Sequence, residues 1–396
     1  MKRQQGSGAE RVEHPLEPIF DGRSRVLVLG TMPSPKSREV GFYYGHPQNR
    51  FWRVLAALFD EPVATTNERR RDQLLRHHIA LWDVLASCEI EGASDASITG
   101  AVPNDLARVL DAAPIEAVFC TGARAAELYT RFCEPRTGMP CVKLPSTSPA
   151  NAAVKLDELV EAYGALLPHL HEFAPGAFDV PDVVALERTI DADGTTLGEL
   201  MDRAGLAIAH RIHTERPEAR VLALCGNGNN GGDGWVAARE LAGWGHEVTL
   251  VTARAPEDLK AEPAHSTAEA TLPVLEERGA QILLNPFDDA LTQAFNDADV
   301  IIDALLGTGF SGQTVKAPFD QWIEQANKRH GEGAYIVSAD APSGLNAQTG
   351  EPSIPCITAD ETITMIVTKT GLELPQAAPY CGKVRIAPLA YIEPYL

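Results

Sequence analysis

Between Cys225 and Trp235 the chain reads CGNGNNGGDGW, and the nine residues Gly226 to Gly234 hold five glycines and three asparagines. Glycine loses more backbone freedom in a helix than any other residue, so this run is expected to form a tight turn and not a helix interior. VLALC, Val221 to Cys225, precedes it as a short apolar strand, and the helical AARELAGW follows. A strand, a glycine turn and a helix in succession make the unit of an α/β fold whose turn amides and helix N-terminus can approach phosphates. There is no GK[ST], so a P-loop is excluded, and the run is not GxGxxG in its usual dinucleotide form. Asp233 adds negative charge near the turn, which points to a cation or a ribose hydroxyl in place of bare phosphate.

Further strand candidates follow at EVTLV (Glu247 to Val251), QILL (Gln281 to Leu284), DVIID (Asp299 to Asp303) and AYIVSAD (Ala334 to Asp340). Three of the later strand ends carry polar devices. DALLGTGFSG places Asp303 before a second glycine-rich turn, SADAPSGLNAQTG offers Asp340 and Ser343, and ITMIVTKTG ends in Lys369. Four polar strand ends on one sheet edge are expected to line one cleft. Asp340 and Lys369 are its acid–base pair, while Asn230, Asp303 and Ser343 supply hard oxygen ligands suited to an alkali cation.

The chain has 396 residues, which suggests two domains. Residues 174–182, APGAFDVPD, are the best linker, and division after Gly176 gives domains 1–176 and 177–396. The first part carries 19 Lys and Arg against 22 Asp and Glu, and the second 15 against 32, so net charges of −3 and −17 make up the total of −20. That balance argues against a generally basic nucleic-acid-coating protein, and if either part meets nucleic acid it is the first. The seven cysteines form no CxxC pair, so neither zinc nor an iron–sulfur cluster is expected. No apolar stretch reaches membrane-spanning length and the N-terminus, MKRQQGSGAERVEH, does not read as a signal peptide; a soluble cytoplasmic protein is expected.

In the first part, VLVLG (Val26 to Gly30), IEAVFC (Ile115 to Cys120) and CVKL (Cys141 to Leu144) read as strands. RFWRVLAALF and the runs 123–132 and 152–167 read as helices. Two dense loops leave strand ends: GTMPSPKSREVGFYYGHPQNRFW, Gly30 to Trp52, and LPSTSPANA, Leu144 to Ala152. The first concentrates aromatic surface and donors. The second offers short hydroxyl side chains able to follow a phosphate backbone. Arg38, Arg50, Arg53, Lys143 and Arg69 to Arg71 are the candidate phosphate contacts.

These two loops together resemble the hypoxanthine-DNA glycosylase branch of the uracil-DNA glycosylase superfamily, over roughly Glu13 to His171. The resemblance implies removal of deaminated bases, hypoxanthine and with it uracil as a candidate, from double-stranded DNA, the preferred base being left open. It places catalysis at Asn49, the base pocket and DNA contact at Phe42, Tyr43, Tyr44 and His46, and the DNA-gripping loop at Ser146, Thr147 and Ser148. A carboxamide cannot act as a strong base, so Asn49 would orient water and stabilise charge. Thr31-Met32-Pro33 lacks the acid or amide that many relatives carry after the first strand.

The second part resembles the NAD(P)H-hydrate epimerase family, through GNGNNGGDG, DALLGTG, D-x-PSG and K-x-G and the leading helix TLGELMDRAGLAIA. This resemblance covers roughly Val183 to Leu389. It implies a nucleotide site at Asn229, Asn230, Gly231, Gly232 and Asp233, at Gly307, Thr308, Gly309, Phe310, Ser311, Gly312 and Gln313, and at Asp340. It also implies potassium held by Asn230, Asp303 and Ser343, and proton transfer by Asp340 and Lys369. NAD(P)H hydrate is then the substrate and not a cofactor. The dehydratase domain of bifunctional relatives does not follow before Leu396, which leads to the expectation of a separate dehydratase protein. A homodimer is left open. The whole is expected to be two three-layer α/β/α domains, uracil-DNA glycosylase-like and Rossmann-like, joined as a bifunctional repair enzyme. The alternatives are an active epimerase fused to an inactive DNA-binding module, and a nucleotide-sensing domain that regulates the glycosylase.

Overall fold

The computed structural model describes residues 9–92, 94–170, 175–287 and 289–396. The first eight residues of the polar N-terminus, His171 and the linker's Ala174 lie outside them. The chain forms two compact units, Met1–Phe173 and Ala174–Leu396.

The strands of the N-terminal unit are β1 (Glu10–Glu13), β2 (Val26–Gly30), β3 (Ile79–Asp83), β4 (Leu85–Ile90), β5 (Thr99–Pro103), β6 (Ala117–Thr121) and β7 (Cys141–Leu144). Its helices are α1 (Pro35–Val40), α2 (Phe51–Phe59), α3 (Asn67–Arg76), α4 (Ala107–Leu110), α5 (Ala123–Phe132), α6 (Glu134–Thr137) and α7 (Leu156–Tyr163). β3, β2, β6 and β7 form a parallel sheet in that order, and β1, β4 and β5 a separate antiparallel one. β2, β3 and β6 are buried at every position. A parallel sheet covered on both faces reads as unbroken apolar runs, not as alternation. The sequence reading did not find β1, β3, β4 or β5. β3 follows the polar helix NERRRDQLLR with only His77 and His78 between them, and neither glycine nor proline marks the change.

The C-terminal unit holds β8 (Val221–Cys225), β9 (Val248–Thr252), β10 (Gln281–Leu284), β11 (Val300–Ala304), β12 (Tyr335–Ala339), β13 (Glu361–Met365) and β14 (Lys383–Ala387). Its helices are α8 (Val180–Ala192), α9 (Leu197–Glu215), α10 (Asn229–Gly243), α11 (Ala264–Glu277), α12 (Asp289–Asp297), α13 (Phe319–Gly331) and α14 (Ala378–Cys381). All seven strands are parallel, in the order β10-β9-β8-β11-β12-β13-β14. Successive residues of β8 serve opposite faces. Val221, Ala223 and Cys225 join a core built with α8 to α11, while Leu222 and Leu224 face α12 and α13. Three layers result. The strand order reverses between β8 and β11, and the carboxyl ends at such a point open a crevice.

The glycine run corrects one expectation. α10 begins at Asn229, so Gly231, Gly232 and Gly234 lie within the helix and not before it. Their role is close approach. A Cβ on Gly231 would stand 2.1 Å from the Gly226 carbonyl oxygen, one on Gly232 2.3 Å from Met201 Sδ, and one on Gly234 2.7 Å from Ala304 Cβ. The entropic cost of helical glycine, about 1 kcal/mol per residue, is offset by packing that no side chain permits. Among the described residues no helix is long and apolar enough to cross a membrane.

Candidate functional site

At the crevice between β8 and β11 lies a cavity of about 660 Å³, a size ordinary for small-molecule sites. Asn227 and Gly228 line it from the turn after β8, Asn229, Asn230 and Asp233 from the first turns of α10, and Leu305 to Phe310 from the turn after β11. Asp340 enters from the end of β12, and α8 and α9 contribute Glu187, Leu200, Met201 and Ala204. α9 is fixed at its start by a capping box: Glu199 N–H donates to Thr196 Oγ1, and Thr196 N–H donates back to the Glu199 carboxylate.

Asp340 follows β12 with φ of +63°, a left-handed conformation uncommon outside glycine and often met at functional sites. Its Oδ1 accepts from Lys369 Nζ, from Met365 N–H at 3.1 Å and from Thr364 Oγ1 at 3.3 Å. Among the described residues nothing donates to Oδ2. Lys369 lies four residues beyond β13, not at its end, and is 1% exposed. Its other contacts are Thr364 Oγ1 at 3.1 Å and the Met365 carbonyl at 2.8 Å, so the ammonium has three acceptors inside the protein. Lys369 therefore stands behind the cavity wall. Asp233 is deeply buried, and burial, then the charges of Asp340 and Glu187, push its carboxyl well above the ordinary range, with Lys369 opposing. That favours a neutral acid, contrary to the expected negative charge.

The cation set also lies partly behind the wall. Asp303 is fully buried, and its Oδ2 accepts from Ser338 Oγ at 2.7 Å and Ser343 N–H at 2.8 Å. Its Oδ1 has only a 3.5 Å contact with Leu305 N–H. Burial raises the Asp303 carboxyl, with the Ser343 and Ser338 hydrogen bonds opposing. Both amide atoms of Asn230 are buried without a partner. An unpaired carboxamide oxygen and an under-bonded carboxylate are donors of the kind that a cation taking oxygen ligands would use. Ser311, Gly312, Gln313, Gly231 and Gly232, expected at the nucleotide, do not line the cavity.

The N-terminal unit has its own cavity, about 740 Å³, at the ends of β2, β3, β6 and β7. Tyr43, Tyr44, Asn49, Ser146, Thr147, Ser148, Arg38 and Lys143 line it, whereas Phe42 and His46 do not. Most of the first loop's polar groups hold the loops together. Asn49 Oδ1 accepts from Phe51 N–H and Thr147 Oγ1, both at 2.9 Å. The expected phosphate contact Arg50 instead donates to the carbonyls of Val154, Asn151 and Ser148. Tyr43 donates to the Glu17 carbonyl at 2.9 Å, and Tyr44 stacks on Phe51 at 4.0 Å. The sequence reading missed two acids of this cavity. Asp83 ends β3 and pairs with buried His14 at 2.8 Å, and Asp95 accepts from Thr31 at 2.8 Å. A carboxylate closing an apolar run, IALWD, was the available signal, as in DVIID.

The family model described as YjeF-related protein N-terminus matches residues 197–371, and the uracil DNA glycosylase superfamily model matches residues 18–167. The two α/β units thus carry a Rossmann-like and a uracil-DNA glycosylase-like fold. The chain is 37% identical over 205 residues to the NAD(P)H-hydrate epimerase of Cenarchaeum symbiosum, covering 50% of this chain and 89% of that protein. It is 30% identical over 187 residues to the NAD(P)H-hydrate epimerase of Pirellula staleyi, covering 47% and 80%. To the bifunctional NAD(P)H-hydrate repair enzyme Nnr of Coxiella burnetii it is 37% identical over 214 residues, 53% of this chain but only 40% of that protein. These relatives are hydrate epimerases and repair enzymes, not glycosylases. The expectations of base excision at Asn49, of a hydrolase activity and of a damaged-DNA partner are corrected accordingly: superfamily fold does not carry activity with it. The expected separate dehydratase is corrected too, because the relatives named as bifunctional NAD(P)H-hydrate repair enzymes hold both of their activities in one chain.

Proposed function

We propose, because the chain belongs through its C-terminal unit to the NAD(P)H-hydrate epimerase family, that this unit interconverts the S and R forms of NAD(P)H hydrate. The observation that carries the reading is Asp340. It is an ionisable group held at the cavity wall by Lys369, with one carboxylate oxygen left for a ligand. The remainder of the chain is then a uracil-DNA glycosylase-superfamily fold joined to an active epimerase. Seven unpaired cysteines suit the reducing cytoplasm.

The hydrate carries a hydroxyl at C6 of its reduced nicotinamide ring, next to the ring nitrogen. Inversion there needs the C6–O bond broken and remade, with a proton delivered to the departing oxygen and another removed from the returning one. Asp340 is the group placed for that exchange. Lys369 acts through it, as a positioning residue, since all three of its hydrogen-bond contacts are internal. The N-terminus of α10 and the glycine turn before it, with Gly307 to Gly309 opposite, offer amides to the phosphates. Asn230, Asp303 and Ser343 would hold potassium. The ion supplies positive charge beside the nucleotide phosphates, in a unit whose residues from 177 on carry a net −17.

The test is the rate at which purified S hydrate equilibrates with R, followed by chromatography. Asp340→Asn is expected to slow it by about 100-fold or more, with affinity for NADPH by calorimetry within about twofold. Lys369→Met is expected to slow it as well, through kcat with KM kept within about twofold, which a disordered cavity would not do. Parent-like rates in both variants overturn the reading.

A further inference from the structure

The cavity wall includes a carboxyl that none of the strand-end motifs contains. α8 is anchored by Val183, Leu186 and Ile190, spaced as one buried helical stripe. Glu187 sits at the edge of that stripe, half-buried, and lines the cavity with Asp233 and Asp340. Among the described residues its carboxylate has no hydrogen bond and no ion pair. A glutamate with no structural partner, turned toward the same space as Asp340 but carried by a helix and not by the sheet, is unexplained by packing.

We propose that Glu187 is the second acid–base group of the epimerisation, serving the ring face opposite to the one that Asp340 serves. The inference rests on the epimerase reading and deepens it. An inversion with water leaving from one face and returning to the other needs a proton donor on the first and an acceptor on the second. In one direction, protonated Glu187 gives its proton to the C6 hydroxyl. The ring-nitrogen lone pair forms N1=C6 as the C6–O bond breaks, and water leaves a cationic ring beside Glu187 carboxylate. Water then adds to C6 from the other face, the N1=C6 pair returns to nitrogen, and Asp340 takes the proton. The reverse direction exchanges the roles. No electrons are gained or lost, and the protons balance.

The electrostatics suit the assignment. Burial and the charge of Asp340 raise the Glu187 carboxyl, while Lys369 opposes, so its protonated form is more accessible than that of a surface glutamate. Asp233 is more deeply buried, and burial pushes its carboxyl well up, which fits a hydrogen-bond donor better than a group that must exchange a proton.

The full chain is compared with Glu187→Gln in water enriched in oxygen-18. In the variant, S–R interconversion is expected to fall about 100-fold or more. One of the two hydrates should still exchange its C6 oxygen with solvent, its configuration retained, because Asp340 still works its own face. Asp340→Asn should show the same for the other hydrate. Glu187→Asp should recover part of the interconversion, and NADPH affinity should stay within about twofold in all three variants. Parent-like interconversion in Glu187→Gln overturns the proposal. So does a parallel loss of exchange and interconversion for both hydrates, which marks a packing role, and either result leaves the epimerase reading standing. A parent chain that leaves both hydrates unchanged overturns the epimerase reading and this inference together.

Discussion

The two cavities are alike in size and in their place at the carboxyl ends of parallel strands, yet their polar groups are used in opposite ways. In the N-terminal unit Asn49 Oδ1 holds Phe51 N–H and Thr147, and Arg50 holds three carbonyls of the 148–154 loop. In the C-terminal unit, among the described residues, both amide atoms of Asn230 are unpartnered, and neither the Glu187 nor the Asp233 side chain has a hydrogen bond. A dense polar motif can therefore be architecture. What separates a ligand-directed site is the set of donors and acceptors left over after the loops have closed, since buried polar atoms without partners are rare in folded proteins.

The largest effect should come from the close approach that makes the C-terminal crevice possible. Gly231→Ala would force a Cβ to within 2.1 Å of the Gly226 carbonyl oxygen. Backbone cannot yield there cheaply, so the C-terminal unit is expected to lose about 3 kcal/mol or more. Gly309→Ala, in the same cavity with nothing within 4 Å of its Cβ, should stay within about 0.5 kcal/mol of the parent. Chemical denaturation followed by circular dichroism compares the two. Equal stability would show that α10 can move off β8 and that the glycines are not there for packing.

A smaller effect sets the two asparagines against each other. Asn49→Ala removes the acceptor that Phe51 N–H and Thr147 Oγ1 share at the start of α2, costing about 1–2 kcal/mol in the N-terminal unit. Asn230→Ala removes atoms that have no hydrogen-bond partner among the described residues, and should leave stability unchanged or slightly higher. What it should remove is the gain in NADPH affinity on replacing tetramethylammonium with potassium in calorimetry. If Asn230→Ala is the more destabilising of the pair, the contrast between engaged and available groups fails.

These differences mark where sequence reasoning stopped. The β8 strand, the polar ends of β8, β11 and β12 and the contact of Asp340 with Lys369 were legible, because apolar runs ending in Asp, Ser or Gly have few other uses in a parallel sheet; that Lys369 stands four residues beyond β13 and outside the cavity lining was not. The start of α10 was not. Propensity argues against glycine in a helix, and only the three-dimensional approach of Gly226, Met201 and Ala304 reverses that preference. Glu187 was missed because one acid on an amphipathic helix looks like a solvated face until the cavity is in place. Asp83 was missed with its strand. The glycosylase expectation failed for another reason: the loop motifs identify a fold, and the relatives that the chain resembles are named for a different activity.

The smallest and most selective prediction concerns acid. In the N-terminal unit burial alone would raise the Glu61 carboxyl, but Arg76, bonded to both its oxygens at 2.7 and 3.0 Å, and His77 outweigh it and hold the group far below its ordinary value. A lowered folded pKa means the unfolded chain takes up the proton first. The stabilisation is complete above the unfolded value near 4.3 and is lost as pH falls toward the folded one. With the folded value far lower, linkage predicts a loss of about 0.6 kcal/mol by pH 4 and more below it. Glu187 has the opposite sign. Its raised folded pKa means the native state holds the proton more tightly, so its contribution is complete below about 4.3 and is lost as pH rises through the folded value. Between pH 7 and pH 4 the stability advantage of the parent over Glu61→Gln should therefore shrink, whereas over the same interval the parent should gain on Glu187→Gln. Thermal unfolding of the three proteins at the two pH values decides it. The same sign for both variants would mean that the acids of the two units are held alike, and that the distinction between paired architecture and an unpaired site does not extend to their charges.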